Sequence, residues 1–398
     1  MVQLAPFAVK VWKGTLLSCR SFQPKCFPLP HALKLIDMTF ENPRLILDSS
    51  NPPEPGAITW RSPSNIAIIK YWGKYGVQLP QNPSLSLTLA AACTDTRLEY
   101  EMRDDSGGIQ LDFFFHTQEN EAFAAKIKTY LESLIPVFPF LEQLKLTIHS
   151  GNSFPHSAGI ASSASAMSAL ALGLCSLEDL LFGTLSEPEK FDQKASWLAR
   201  LGSGSACRSI FPHAAVWGET QLVPGSSNEY AVPVGDRIHE VFKDFHDDIL
   251  IVSTDEKAVS SRDGHALMDD NPYATTRYAQ ARARLSTLLE AMTTGDVETF
   301  GKIAEDEALT LHALMMCSNP SYVLLQPQTL AIIARVREWR EETGHPLYFT
   351  LDAGPNVHLL YPGEIVAEVR GFIEEDLKQY CENEYFIQDW VGEGPEEL

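Results

Sequence analysis

Positive charge is scarce in this sequence. It has 31 lysines and arginines against 52 aspartates and glutamates, which gives a formal net charge of −21 at pH 7. Proteins that bind nucleic acid usually present a basic face, and anionic membranes attract basic surfaces. The composition therefore predicts that neither nucleic acid nor a membrane is a partner. An anionic small molecule remains compatible, because a few cations gathered in a cleft set the local potential there.

Paired cysteines and long apolar runs are also lacking. The seven cysteines are scattered, odd in number and free of Cys-x-x-Cys spacing. This pattern argues against a disulfide framework or a zinc site and favours reduced thiols in a cytoplasmic protein. No apolar run reaches, by inspection, the length of a membrane span.

Residues 1–37 stand apart from the rest of the chain. Five basic residues precede the first acidic residue, Asp37, and no regular period is visible. The segment is either a targeting peptide or translated upstream sequence ahead of a true start at Met38. We favour the second, because no well-formed amphipathic helix is present, and expect a poorly structured, dispensable extension. The remaining length suits two domains that share a cleft, with a junction in the polar stretch 224–236.

Hydrophobic periodicity predicts mixed strands and helices after residue 57. Strands are expected at 58–60, 66–69, 82–89, 96–101, 109–115, 144–149, 214–218, 221–224, 248–254, 348–352 and 357–360. Helices are expected at 119–134, from 163 onward, and at 191–201, 273–294, 297–314, 327–343 and 365–380. The strands at 96–101 and 109–115 are expected to form a hairpin, and the acidic tail from 392 is expected to be loose.

The stretch Ser150–Leu174 is the most informative part of the chain. A polar, proline-containing segment leads into small residues and then into an alanine-rich helix. Short side chains let backbone N–H groups approach an anion, and the first turn of a helix favours phosphate. The alternative is a tightly packed helix with a serine cap. The stretch is neither a Walker loop nor a dinucleotide fingerprint. It does resemble the P-x-x-x-G-[LI]-x-S-S-A phosphate loop of the GHMP superfamily of small-molecule kinases.

Two segments combine cations with small or aromatic residues. Residues 70–74, Lys-Tyr-Trp-Gly-Lys, follow an apolar run directly, which suits a phosphate clamp, although an isolated lysine pair is more often a solvated strand end. Residues 202–209, Gly-Ser-Gly-Ser-Ala-Cys-Arg-Ser, supply N–H groups, hydroxyls and one guanidinium. That set suits a carboxylate or phosphate, and its alternative is a glycine-rich turn with a surface arginine.

Asp352 is a further candidate for a catalytic role. Asp352 ends a predicted strand before the Gly354–Pro355 turn. Alone it would be read as a turn cap, which is the commoner role of such a residue. A carboxylate at a strand end beside such a turn could also be pre-positioned to act as a base.

Together these segments resemble the diphosphomevalonate decarboxylase family of the GHMP kinase superfamily. IAIIKYWGK, the 155–164 loop, GSGSACRS and TLDAGPN occur in that order, and the resemblance covers roughly residues 57–365. The chain departs from many eukaryotic members at QNPSLS (81–86) and FPHAAVWG (211–218), whereas SSRDG resembles bacterial members. Neither departure removes a charged catalytic group. They therefore concern which subfamily the sequence resembles more than which reaction it catalyses.

The resemblance implies a two-domain α+β fold of GHMP-kinase type with the active site in the cleft. Its parts would be an N-terminal nucleotide-binding domain at 38–235, like ribosomal protein S5, and a ferredoxin-like C-terminal domain at 236–398. It implies ATP-dependent decarboxylation of 5-diphosphomevalonate to isopentenyl diphosphate, with ATP and Mg²⁺ as cofactors and a possible homodimer.

Residue roles follow from the resemblance position by position. Catalytic roles fall on Asp352, Lys70 and Arg208, with Arg208 holding the substrate carboxylate. Substrate binding falls on Tyr71, Trp72, Gly73, Lys74, Ser203, Gly204, Ser205, Ala206, Cys207, Arg208, Ser260, Ser261 and Arg262. ATP binding falls on Ser150, Gly159, Ala161, Ser162 and Ser163, with Ser162 or Ser163 as the Mg²⁺ ligand.

Three other functions compete with this one. A decarboxylase acting on phosphomevalonate and a kinase that stops after phosphorylating mevalonate at its 3-hydroxyl belong to the same superfamily. The retained Asp352 and Arg208 favour decarboxylation, and Tyr71, Lys74 and the 261–262 pair favour a diphosphate. A non-catalytic binding protein on the same fold would be expected to lose a catalytic group, and each is retained.

Overall fold

The computed structural model describes residues 40–103, 107–155, 162–255 and 259–398. The predicted extension 1–37 and the loop residues Gly159 and Ala161 lie outside these ranges. Contacts within the chain divide it into Met1–Met38 and Thr39–Leu398. The predicted boundary between residues 235 and 236 therefore stays a prediction.

Fourteen strands and eight α-helices are present within the described ranges. The strands are β1 Gly56–Ile69, β2 Lys74–Tyr75, β3 Leu79–Pro80, β4 Ser84–Met102, β5 Gln110–Phe115, β6 Gln118–Glu119, β7 Leu144–Asn152, β8 Ala214–Trp217, β9 Ala231–Pro233, β10 Phe245–Leu250, β11 Tyr348–Thr350, β12 Val357–Pro362, β13 Phe386–Ile387 and β14 Glu396–Glu397. The helices are α1 Glu121–Ser133, α2 Ser162–Phe182, α3 Pro188–Gly202, α4 Ser261–Ala266, α5 Ala274–Thr294, α6 Val297–Met316, α7 Pro327–Thr343 and α8 Val366–Phe372.

The larger sheet has the order β14-β1-β4-β7-β5-β6, with β8 added to β4 and β9 to β8. Its long central strands β1 and β4 pair antiparallel from Gly56↔Tyr100 to Ile69↔Leu85. Helices α2 and α3 pack together, and α2 lies on β1 and β4. Leu98, Leu146 and Leu174 belong to the buried cluster between these layers. Packing of the apolar face of α2 on β1 and β4 therefore sets the position of the N-terminal end of α2.

The smaller sheet has the order β11-β12-β10-β13. Helix α6 packs on β11 and also on β1, and α5 packs on β1 and β4. One buried cluster accordingly contains Ile69 of β1, Ile249 of β10 and Phe300 of α6. Since this cluster joins both sheets, the end of β1 and the end of β11 are held close together.

The predicted hairpin between 96–101 and 109–115 is wrong. Strand β7 pairs antiparallel with β4 along Thr94↔Asn152 to Met102↔Leu144. Strand β5 then pairs parallel with the other edge of β7. The two strands thus lie on opposite sides of β7, because the apolar Leu144, Leu146 and Ile148 complete the core between them.

Two local predictions also fail. Residues 221–224 form turns and a bend instead of a strand, and Ala231–Pro233 pairs with β8 on the side away from β4. The helix predicted over 365–380 keeps α-geometry only in Val366–Phe372 and then continues through a π turn at Ile373–Leu377. Apolar spacing persists across that turn, with Ile373 and Leu377 buried, so periodicity alone did not reveal the change.

Helix α2 corrects the statement that no apolar run reaches the length of a membrane span. Ser162–Phe182 passes that test by length and composition, and 67% of its most apolar window is buried inside the fold. Alanine and serine lie among the large apolar residues of this helix, so the sequence does not show an obvious apolar run. Packing against β1 and β4 accounts for its apolar character.

The acidic tail is anchored, which also contradicts the prediction. Leu398 N–H donates to Thr59 O at 2.9 Å, and Gly392 N–H donates to Thr88 O at 2.8 Å. Strand β14 pairs with β1 through Trp60↔Glu397. The sequence does not predict this pairing, because the hydrogen bonds come from the backbone while the acidic side chains are exposed.

Gly392→Ala is expected to destabilise the fold by about 1–3 kcal/mol, the range for overpacking a filled site. A Cβ at Gly392 would collide with Leu89 O and lie 2.9 Å from the Cα of Ala90. Gly371→Ala is the matched control, because a Cβ there meets nothing within 4 Å. Urea unfolding of both variants measures the difference. Equal stability of the Gly392 variant and the wild type would contradict the described anchoring of the tail.

Candidate active site

One cavity of about 270 Å³ gathers most of the predicted site residues. It opens where β1 ends, where α2 and α4 begin, and beside the turn after β11. The predicted residues that line it are Lys70, Tyr71, Trp72, Lys74, Ser163, Ser203, Gly204, Ser205, Arg208, Ser261, Arg262 and Asp352. Segments separated by up to 282 positions in sequence, as for Lys70 and Asp352, therefore meet in one place.

Lys70 and Asp352 form an ion pair in this cavity. The Lys70 side chain is 2% exposed and the Asp352 side chain 24%, with Nζ 3.0 Å from Oδ1. Asp352 O accepts the N–H of Gly354 at 2.8 Å and a ring N–H of His312 at 3.0 Å. The backbone of Asp352 is thus fixed from two sides, which leaves its carboxylate at the cavity surface beside a cation.

A buried ionic cluster holds the backbone of Lys70. Lys70 N–H donates to Glu307 Oε2 at 2.9 Å, and Arg277 Nη1 donates to Glu307 Oε1 at 2.6 Å. Arg284 adds a further bond to Glu307 Oε1 at 2.8 Å. Burial raises the pKa of Glu307, but the hydrogen bonds from these arginines outweigh it and lower that pKa below its ordinary value. Glu307 therefore stays ionised and positions Lys70.

Arg208 is a buried cation held by neutral groups. It lies in the 3₁₀ segment Gly204–Ile210 and is 2% exposed. Its Nε donates to Ser86 Oγ at 2.7 Å, Nη1 to Ser84 Oγ at 2.6 Å and Nη2 to Asn65 Oδ1 at 3.3 Å. Burial lowers the pKa of Arg208. A fixed, desolvated guanidinium facing a cavity suits a carboxylate ligand.

Lys74 and Arg262 place two further cations on the cavity wall. Lys74 Nζ donates to Gln78 Oε1 at 2.8 Å. Burial, together with the nearby charge of Arg262, lowers the pKa of Lys74. Two cations that repel each other are stabilised by an anion between them, so this end of the cavity suits phosphate.

The first turn of α2 also lines the cavity, through Ser163. Ser163 Oγ is 3.1 Å from Ser203 Oγ, and the first turn of the helix contains no acidic residue. The first-turn N–H groups of a helix and its dipole favour phosphate binding. The described residues contain no cluster of three His, Cys, Asp or Glu side chains that could hold a metal. A serine hydroxyl fits Mg²⁺ as one ligand, since this ion commonly takes its others from nucleotide phosphates and water.

Some predicted residues do not line the cavity. Ala206 and Cys207 are fully buried, and burial raises the pKa of the Cys207 thiol to about 12. Ser260 caps α4, since its Oγ accepts the Asp263 N–H at 3.1 Å. Ser150 lies on β7 with Oγ 3.1 Å from Thr96 Oγ1. Gly73 donates its N–H to His265, Ser162 begins α2, and Gly159 and Ala161 are outside the described ranges.

Sequence reasoning missed several groups that shape the site. They are Asn65, Ser84, Ser86, Gln78, His265, Arg277 and Glu307. The serines sit in an alternating strand pattern that fits any half-buried strand. Glu307 and Arg277 lie in amphipathic helices, where charges usually indicate a solvent face.

Two family descriptions match the chain. Residues 62–228 match the diphosphomevalonate decarboxylase-like N-terminal domain, and residues 248–394 match the mevalonate 5-diphosphate decarboxylase C-terminal domain. A diphosphomevalonate decarboxylase of Ganoderma lucidum is 30% identical over 352 residues, which cover 82% of this chain and 83% of the relative. The predicted resemblance is therefore confirmed along the chain.

Solved structures agree with these matches. The mevalonate diphosphate decarboxylase of Staphylococcus aureus superposes with a TM-score of 0.74 at 29% identity, covering 87% of this chain and 98% of its own. A complex of MDDEF with MVAPP, AMPPCP and magnesium gives a TM-score of 0.72 at 29% identity, covering 87% and 99%. The predicted α+β fold of GHMP-kinase type is confirmed. The chain belongs to the diphosphomevalonate decarboxylase family.

Proposed function

We propose that this chain converts (R)-5-diphosphomevalonate and ATP to isopentenyl diphosphate, ADP, phosphate and CO₂ in the mevalonate pathway of isoprenoid synthesis. The observation that carries this proposal is one cavity in which the Lys70–Asp352 ion pair and the buried Arg208 converge. Family membership and the solved complex with MVAPP, AMPPCP and magnesium support it.

Asp352 acts in the first step, phosphoryl transfer to the tertiary 3-hydroxyl. A tertiary alcohol is a weak nucleophile, so a carboxylate that accepts its proton or orients its lone pair lowers the barrier. Lys70, 3.0 Å away, keeps the carboxylate in place and compensates its charge. The hydroxyl oxygen bonds to the γ-phosphorus of ATP, and ADP leaves.

Arg208 acts in the second step, which breaks two bonds. The C3–O bond breaks with its electron pair on the departing phosphate, and positive character develops at C3. The electrons of the bond between C2 and the carboxyl carbon then form the C2–C3 double bond, and CO₂ leaves. A guanidinium fixed by Ser84 and Ser86 can hold the carboxylate in the geometry that this cleavage needs.

The other cations recognise the two phosphate-bearing molecules. Lys74, Arg262 and Ser261 are proposed to bind the substrate diphosphate, with Tyr71 and Ser205 on the same wall. The start of α2 is proposed to receive ATP, and Ser163 to contribute a hydroxyl to Mg²⁺. The metal neutralises phosphate charge when bound.

Turnover with three substrates tests this function. Phosphate and CO₂ release from 5-diphosphomevalonate, 5-phosphomevalonate and mevalonate are measured with ATP and Mg²⁺. We expect CO₂ from the diphosphate, and at least tenfold lower kcat/KM with the monophosphate, because Lys74 and Arg262 lose a charged partner, worth about 1.4 kcal/mol or more. ADP without CO₂ from mevalonate alone would favour the 3-kinase, and preference for the monophosphate would favour the other decarboxylase.

We also propose a cytoplasmic enzyme that acts as a homodimer, without nucleic acid or a membrane as partner. The net charge of −21 supports the lack of affinity for polyanions. Buried thiols such as Cys175 and Cys207 suit a reducing compartment. Sedimentation analysis of the purified chain measures the oligomeric state directly.

A further inference from the structure

His265 is a cavity residue that the proposed reaction has not yet used. It lies in α4, is 7% exposed, and lines the same cavity as Lys74 and Arg262. Its ring packs against two aromatic residues, with its centroid 4.3 Å from that of Tyr71 and 4.5 Å from that of Trp72 and with interplanar angles of 39° and 34°. The imidazole is therefore held in one plane by the motif that was predicted to clamp phosphate.

The two ring nitrogens of His265 have different surroundings. Nδ1 accepts the backbone N–H of Gly73 at 2.9 Å. Within the described part of the chain, no hydrogen bond is recorded for Nε2. Burial and the nearby charge of Lys74 lower the pKa of His265 to about 3. A neutral imidazole whose Nδ1 accepts must carry its proton on Nε2, so the ring offers one uncharged donor.

The Gly73 turn explains why the ring cannot move away. Gly73 has φ +98°, a conformation that suits glycine, and the Tyr278 ring lies against its Cα. Gly264, next to His265, packs so closely on Trp72 that a Cβ there would lie 2.5 Å from Trp72 Cζ2. The helix and the Lys70–Lys74 segment are thus locked together through this histidine.

We propose that His265 is a substrate-binding residue whose Nδ1 fixes the Gly73 turn and whose Nε2–H donates to an oxygen of the phosphate-bearing substrate held by Lys74 and Arg262. This inference rests on the proposed function. A neutral donor adds direction that Lys74 lacks, because a Lys ammonium group acts as a point charge. His265 thereby orients the substrate whose charge the cations attract.

Two substitutions separate the two nitrogens. In His265→Asn the side-chain oxygen can replace Nδ1 as acceptor for Gly73, but no donor reaches the Nε2 position. In His265→Gln the amide nitrogen can replace the Nε2–H donor. We expect the Asn variant to raise the KM for 5-diphosphomevalonate by about three- to tenfold, the effect of one lost neutral hydrogen bond, with the KM for ATP unchanged. The Gln variant should recover part of that loss.

Two results would contradict the proposed role of His265. An Asn variant with wild-type KM, or a Gln variant as impaired as the Asn variant, overturns the proposal. His345→Asn is the matched control, because His345 stacks on Trp339 away from the cavity. If the wild type does not turn over 5-diphosphomevalonate at all, the proposed function fails instead.

A spectroscopic test does not depend on turnover. The ¹⁵N spectrum of histidine-labelled protein should contain a neutral Nε2–H tautomer that His265→Asn removes. Titration with inorganic pyrophosphate should shift that signal downfield. A protonated Nδ1, or no response of the signal to pyrophosphate, would contradict the assignment.

Discussion

Asp352→Asn is expected to lower ADP formation and CO₂ release together, by about 10²–10⁴-fold, the usual loss for a general base. Asparagine keeps the shape of the side chain and removes its charge and basicity. If phosphoryl transfer fails, no later step occurs, so both products disappear in parallel. ATP binding should change little, because the start of α2 is a separate element from the turn after β11. Steady-state turnover and a nucleotide titration measure the two effects.

The design must separate catalysis from folding. Asp352→Asn leaves Lys70 without its charged partner at 3.0 Å in a buried position, which costs stability. The double variant Lys70→Met with Asp352→Asn removes both charges, and should regain stability without regaining activity. Asp236→Asn, an exposed residue, controls for loss of one negative charge. Near-normal turnover, or loss of ATP binding in step with turnover, would defeat the assignment.

The structure adds a reason why Asp352 is more than a turn cap. A capping aspartate uses its side-chain oxygens to accept nearby backbone N–H groups. In the Asp352 turn the backbone oxygen also accepts, from Gly354 and from His312. The side-chain oxygen Oδ1 faces Lys70 instead. Asp352 also lines the cavity, so its carboxylate lies where a ligand would bind.

Much of the site could be predicted from sequence, because its groups come in short contiguous segments. Residues 70–74, 202–209 and 352–356 each combine a charged group with small or turn-forming residues, and all three segments reach the cavity. Glycine and serine there reflect close packing, as at Gly204, where a Cβ would lie 3.0 Å from Tyr71 and Trp217. Close packing of this kind therefore appears in the sequence as a local enrichment in glycine and serine.

The supporting groups could not be predicted, because they act across long separations. Glu307 meets the backbone of Lys70 from 237 positions away, and Ser84 meets Arg208 from 124. Neither residue differs in its neighbourhood from an ordinary helix or strand residue. The failed hairpin has the same cause, since β7 enters between β4 and β5 from later in the chain. Patterns indicate elements more reliably than they indicate partners.

Arg208→Lys is expected to lower kcat/KM for decarboxylation by about 10- to 150-fold, since a hydrogen bond to a charged group contributes roughly 1.5–3 kcal/mol. The guanidinium is planar and offers several donors, three of which already bind Ser86, Ser84 and Asn65. Lysine has one ammonium group, which cannot satisfy these oxygens and also hold a carboxylate in a fixed plane. CO₂ release should suffer more than ADP formation, because the carboxylate reacts only in the second step.

The ratio of CO₂ to ADP distinguishes this role from a purely structural one. If Arg208 holds the carboxylate, Arg208→Lys should release ADP in excess of CO₂, because the phosphorylated intermediate forms but breaks down slowly. If Arg208 only supports the fold, the two products should fall equally and the unfolding midpoint should fall with them. Arg237→Lys, at an exposed arginine, provides the matched control. A one-to-one product ratio with unchanged turnover would show that the carboxylate binds elsewhere, and Lys70 would then be the cation in the cavity to test next.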